Sequence, residues 1–134
     1  MKVYGSNRRQ EPSSHLVDVL NEISNDERNT CFVISSQKKN VLHDWYGEKV
    51  PKMGLAAENG FFWRWNSELR NEHEWIKLLQ IVDFCWIESV KDIMQSYLEK
   101  TEGALIEEKE SMIVWNYEDT DPDFGNWQAK ELSQ

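Results

Sequence analysis

Glu107 and Lys109 are spaced to act as a pair. Side chains of an extended strand alternate between its two faces, so these residues share a face with Leu105 and lie roughly 7 Å apart along it. A carboxylate that accepts and an ammonium that donates can together grip a polyol through its hydroxyls. The wet face of any antiparallel strand carries such residues too, and spacing alone leaves both readings open. Ser35 is a second candidate, because it follows the apolar run Thr30–Ile34 and precedes a helical stretch. Ligands of α/β folds collect at the C-terminal ends of buried parallel strands, although a helix cap explains a serine there equally well. Arg64 stands between Trp63 and Trp65, where a guanidinium can stack on an indole and cover a sheet edge.

Other spacings suggest chemistry and fail on inspection. Asp119, Asp121 and Asp123 have the spacing that opens a calcium loop, but Phe124 stands where that loop needs glycine and Lys130 where it needs a bidentate glutamate. Asp123-Phe124-Gly125 is a kinase tripeptide without the rest of the kinase set.

These residues need elements to position them. The stretch from Ala104 to Tyr117 reads as two strands and a tight turn, the second strand apolar on both faces and so an inner one. Before it, Trp86, Val90, Ile93 and Tyr97 recur at helical intervals, which predicts an amphipathic helix from about Asp83 to just before Gly103, packed under the hairpin. After it, Thr120 or Asp121 is placed to cap a helix with Pro122 at its first position. Nearer the start, Leu16, Val19, Leu20 and Ile23 predict a helix over His15–Ser24. Thr30–Ile34 and Met53–Ala57 read as strands buried on both faces, as in a parallel sheet covered by helices, with a helical stretch through Val41, Leu42 and Trp45 between them. Trp75–Val82 reads as one more strand or an irregular segment.

A chain of 134 residues with 40% hydrophobic content can bury one modest core. Its net charge of −9 repels nucleic acid and anionic membranes, and works against a phosphorylated ligand unless local cations offset it. Cys31 and Cys85 lie far apart in apolar runs, which predicts buried reduced thiols and a cytoplasmic setting. The polar stretch from Met1 to Ser14 is expected to be neither signal peptide nor anchor, and no apolar run has transmembrane length.

Several blocks, in order, resemble the trehalose-6-phosphate phosphatase family, haloacid dehalogenase-like hydrolases. They are Ile106-Glu-x-Lys-Glu-Ser111, the apolar strand ending Trp115-Asn-Tyr117, Asp119-x-Asp-Pro-Asp-Phe-Gly125, and Gln128-Ala-Lys-Glu-Leu132. The likeness covers about Leu16 to Leu132 and is strongest to the phosphatase-like C-terminal domain of plant trehalose-phosphate synthases. It implies an α/β fold: a partial Rossmann-like core, then an α/β cap subdomain with an antiparallel hairpin. On that pattern residues 1–12 form a flexible leader, 13–60 a partial core and 61–134 the cap-like part.

The resemblance also assigns roles. Ser35 falls where the family holds the substrate phosphate, but Ser36 stands in place of a glycine and Gln37 in place of an arginine, which removes close backbone approach and a charge. Asn59, in Ala57-Glu-Asn-Gly60, and Arg64 fall where the family faces the sugar, and Glu107 and Lys109 become cap residues that read glucose. Asp119-Thr-Asp121 mimics the family's Asp-x-Asp nucleophile signature, but lacks the Gly-Thr that follows it and lies after the cap hairpin. The chain therefore has the middle of a phosphatase, without the nucleophile or the magnesium-binding loop, and is expected to be inactive alone, with no cofactor of its own. Its implied ligand is trehalose-6-phosphate or a related sugar phosphate. A non-catalytic sugar-phosphate sensor or protein-interaction module, with a synthase domain or another protein as partner, is the alternative.

Overall fold

In a computed structural model the described residues are 11–65 and 74–133. They divide into two units, one within residues 11–82 and the other over 83–133.

The first unit is a four-stranded sheet with helices on one face. Helix α1 (Ser14–Asn25) starts where the Ser13 side chain accepts from the Leu16 N–H, a cap that satisfies one orphan donor of the first turn. Strand β1 (Phe32–Ile34) pairs in parallel with β2 (Gly54–Ala57), and β3 (Phe62–Trp65) and β4 (Ile76–Lys77) continue the sheet antiparallel, in the order β1-β2-β3-β4. A short helix α2 (Lys39–Leu42) runs on into a π-helical turn, His43–Gly47. Val17 of α1 and Leu42 and Tyr46 of the second helical stretch close on Leu55, Ala57 and Phe62 of the sheet. Burial of each such side chain contributes about 1.5–3 kcal/mol.

Alternation assigns the two sheet faces. Val33, Leu55 and Arg64 stand side by side in register on the covered face, whereas Phe32, Gly54 and Trp65 form a row on the other. Phe32 and Ile34 are therefore exposed, and β1 is not the doubly buried strand that its apolar run predicts. Strand β3 takes up register with the whole of β2, so the sheet continues past residue 60.

The second unit packs two helices with one hairpin. Helix α3 (Trp86–Leu98) contacts both strands of an antiparallel pair, β5 (Leu105–Glu108) and β6 (Ile113–Asn116), as its apolar stripe predicts. Gly103, at φ 88°, turns the chain between them. Helix α4 (Pro122–Leu132) begins at Asp121, whose carboxylate accepts from the Phe124 N–H at 2.9 Å. That role accounts for Asp121 in the acidic run without a metal. Among the described residues β6 pairs only with β5 and is half-buried along its length, so it is not the inner strand that its composition suggests.

Both cysteines are free, and Cys85 is exposed rather than buried. It lies one residue ahead of α3, where its N–H donates to the Asp83 carboxylate at 2.8 Å, and that carboxylate pushes the Cys85 thiol up. Among the described residues no helix is long and apolar enough to cross a membrane.

Candidate functional site

Two loops leave the C-terminal ends of the parallel strands β1 and β2 and are stitched together by their backbones. The Ser35 N–H donates to the Ala56 carbonyl at 2.9 Å, the Asn59 N–H to the Ser35 carbonyl at 2.9 Å, and the Glu58 N–H to the Gln37 carbonyl at 3.0 Å. The Ser35 hydroxyl accepts from the Gln37 N–H at 3.2 Å. Ser35 thus closes a local turn rather than capping α2, whose N-cap position is Lys38.

The second loop is strained. Glu58, Asn59 and Gly60 have successive φ values of 49°, 59° and 96°, all in the left-handed region. Asparagine and glycine adopt it readily, but glutamate does so at a cost of about 1–3 kcal/mol. Glu58 is buried while Asn59 is exposed at the tip. Strain of this kind, held beside the ends of parallel strands, is a mark of a site where the backbone is shaped for a ligand.

Arg64 lies on β3 beside Leu55, almost wholly buried. Its Nη2 is 2.7 Å from Nδ1 of His43, and its guanidinium carbon is 4.8 Å from the centroid of the Trp75 ring. A guanidinium only donates, so Nδ1 of His43 accepts and the ring proton resides on Nε2. Burial lowers the pKa of Arg64. Gly47 makes the contact possible: a Cβ there would fall 2.2 Å from His43 Nδ1 and 3.2 Å from Arg64 Nη2. The indole that Arg64 stacks on is Trp75, not Trp63 or Trp65. Those two flank it in sequence and so point to the opposite face.

On the second unit Glu107 and Lys109 come together as the spacing predicts. Their side chains approach to 4.0 Å, with Lys109 8% and Glu107 35% exposed. Lys109 lies just past β5, where its N–H donates to the Met112 carbonyl across the two-residue loop Glu110–Ser111. Glu107 is level with Val114. The opposite face of β5 presents Glu108, which pairs with Lys91 of α3 at 2.5 Å. Lys109 is therefore a largely sheltered cation beside a half-exposed carboxylate, with donors and an acceptor within one ligand's width.

The structure thus joins Ser35 to Asn59 through the backbone, ties Arg64 to His43 and Trp75, and pairs Glu107 with Lys109. Sequence reasoning missed His43, Gly47 and Trp75. No spacing links His43 to a residue 21 positions later, and the flanking tryptophans, offered by the sequence as stacking partners, are turned away from Arg64 by the strand's period of two. Among the described residues no group of three His, Cys, Asp or Glu side chains is placed to hold a metal ion.

Comparison with known proteins covers nearly the whole chain. The family model for trehalose-phosphatase matches residues 2–134. Alpha,alpha-trehalose-phosphate synthase 6 (UDP-forming) of Arabidopsis thaliana is 43% identical over 90% of this chain, and a trehalose-phosphatase of Zygosaccharomyces rouxii is 33% identical over 92%. The chain spans about one seventh of such relatives, 14% and 13% of their lengths. The C-terminal domain of a trehalose-6-phosphate phosphatase from C. albicans superposes with a TM-score of 0.84 at 34% identity, over 98% of this chain and 43% of that one.

Proposed function

The chain belongs to the trehalose-phosphatase family, and on that premise we propose that it is the sugar-reading part of a trehalose-phosphatase-like domain, serving trehalose biosynthesis with trehalose-6-phosphate as ligand. The observation that carries the reading is the pairing of Glu107 with a sheltered Lys109 at 4.0 Å. A disaccharide phosphate offers hydroxyls to the carboxylate and oxygens to the ammonium. Ser35 and Asn59 sit where strand ends and a strained loop make a ligand surface on the other unit. Arg64, beside Leu55 on the covered face of the same sheet, is held by His43 and Trp75.

The same proposal denies turnover to these 134 residues by themselves. Transfer of a phosphoryl group through an aspartyl intermediate needs an activated carboxylate nucleophile. The two overlapping Asp-x-Asp runs, Asp119-Thr-Asp121 and Asp121-Pro-Asp123, share Asp121, whose carboxylate caps α4. A non-catalytic sensing or interaction role derived from a synthase C-terminal domain is the second reading, and a synthase of Arabidopsis thaliana is among the relatives, 43% identical.

Isothermal titration tests the ligand. We expect heat with trehalose-6-phosphate that is lost in Glu107→Ala and in Lys109→Ala. Absence of heat from the unaltered chain with both trehalose and trehalose-6-phosphate would sink the proposal. Phosphate release by the purified chain, with magnesium present, would disprove its incompetence.

A further inference from the structure

In the first unit one hydrogen bond ties a helical turn to the sheet. His43 opens the π turn His43–Gly47 and is exposed, whereas Arg64 of β3 lies on the covered face and is only 5% exposed. Their contact, 2.7 Å from Nη2 to Nδ1, joins residues 21 apart in the chain. Trp75, with its ring centroid 4.8 Å from the guanidinium carbon, steadies the arginine independently of the imidazole. Gly47 keeps the space open, since an added Cβ would fall 2.2 Å from His43 Nδ1.

Only one protonation state of His43 fits this contact. A guanidinium carries donors alone and keeps its charge across the physiological range, so the imidazole must present a bare Nδ1. A protonated imidazole has an N–H on both nitrogens and no acceptor, and at 2.7 Å it would set one cation against another. The exposed His43 ring can then swing into water without opening the core, where Tyr46 of the same turn stays buried. On the elements around the contact the charged groups are Lys39 of α2, Asp44 of the turn itself, Glu58 of the strained loop, Glu74 beside Trp75 and Lys77 of β4. None of these is an imidazole, the side chain whose charge changes between about pH 5 and 8. Helix α1, which meets the turn through Val17, adds Asp18, Glu22 and one further imidazole, His15.

We propose that His43 and Arg64 form a proton-sensitive latch between the π turn and β3, closed while the imidazole is neutral and opened when it takes a proton. A π turn is a rare, wide form of helix that persists where its surroundings hold it. The latch supplies that hold at the first residue of the turn, and the packing of Tyr46 supplies it further along. Opening therefore loosens the start of the turn and frees a donor of Arg64, while the sheet and its core remain folded. The latch rests on the geometry of this contact and not on the sugar reading, so failure of the titrations leaves it standing.

The test uses the full chain and two readouts. Ring nitrogen NMR at about pH 8 should show His43 protonated on Nε2 alone. Hydrogen exchange, corrected for the intrinsic pH dependence of its rate, should follow the Val50 amide, which donates to the Tyr46 carbonyl of the turn at 2.9 Å. Its protection should fall about 10-fold between about pH 8 and about pH 5, the size of one hydrogen bond to a charged group. His43→Gln puts an acceptor that does not titrate in the same place, so there the fall should vanish, whereas His15→Gln should keep it. Gly47→Ala pushes the imidazole off Arg64 and should show at the higher pH the low protection that the unaltered chain has at the lower one. A His43 protonated on Nδ1 at the higher pH, or protection that acid leaves unchanged, would overturn the proposal. So would a fall that persists in His43→Gln or disappears in His15→Gln, or a Gly47→Ala chain as protected at the higher pH as the unaltered one.

Discussion

Ten buried hydrophobic side chains, from Val17 to Phe62, lie among the described residues of the first unit; among those of the second, only Ile87 and Ala104 are buried. The two parts of the candidate machinery rest on these unequal foundations. Ser35 and Asn59 are placed by backbone bonds at the ends of strands rooted in a closed core. Glu107 and Lys109 are placed by the pleat of a two-stranded hairpin leaning on α3. A pair set by strand alternation needs little core beneath it, but it moves with its hairpin, whose independent stability is small. A loop fixed by cross-strand bonds holds its shape more firmly, at the cost of strain at Glu58.

The largest effect expected from this contrast is in the core of the first unit. Phe62 is 1% exposed, and Phe62→Ala should cost about 3–5 kcal/mol, seen as a fall in the urea midpoint. Leu105→Ala on the hairpin, 48% exposed, should cost less than about 1 kcal/mol. Equal losses would end the idea that the units are unequally founded.

Two glycines separate strain from collision. Gly103, at φ 88°, would place an added Cβ 2.3 Å from the backbone oxygen of Asp119. Gly103→Ala should therefore exceed about 2 kcal/mol and loosen the join between α3 and β5. Gly60, at φ 96°, has nothing within 4 Å, so Gly60→Ala should cost about 1–2 kcal/mol from backbone strain alone. Urea denaturation of both variants orders the effects, and a reversed order would show the contact at Gly103 to be relieved by movement. Asp121→Ala should cost about 1 kcal/mol, read locally as faster exchange of the Phe124 amide.

Much of this was legible in the residues because it follows a period. The stripe of α3, the face shared by Glu107 and Lys109 and the Asp121-Pro122 helix start are repeats of 3.6, repeats of two and local capping chemistry. What escaped depends on long-range pairing. Thr30–Ile34 is apolar throughout, and such a run does not say whether both faces find cover; β1 finds it only for Val33 and its neighbours on that side. The apolar surroundings of Cys85 suggested burial, yet it falls one residue before α3, where the chain turns outward. The His43–Arg64 contact joins a π turn to a strand, and its only local trace is Gly47, whose missing side chain leaves room for it.

The smallest predicted effect tests how far a surface pair can steady the hairpin. Lys91 and Glu108 meet at 2.5 Å between α3 and β5, with side chains 40% and 44% exposed. The Glu108 carboxylate raises the Lys91 pKa, first through their hydrogen bond and then through its charge. A lysine whose folded pKa is raised contributes stability that is fully present below its unfolded pKa, near 10.4, and is lost as pH rises through the higher folded value. Between pH 6 and 9 the contribution should therefore be flat and, for so exposed a pair, small. Glu108→Gln should lower the melting temperature slightly at low salt and not measurably at about 1 M salt, where the screening length is only about 3 Å. A loss that persisted undiminished at that ionic strength would mean that Glu108 steadies the hairpin through packing against α3 rather than through its charge.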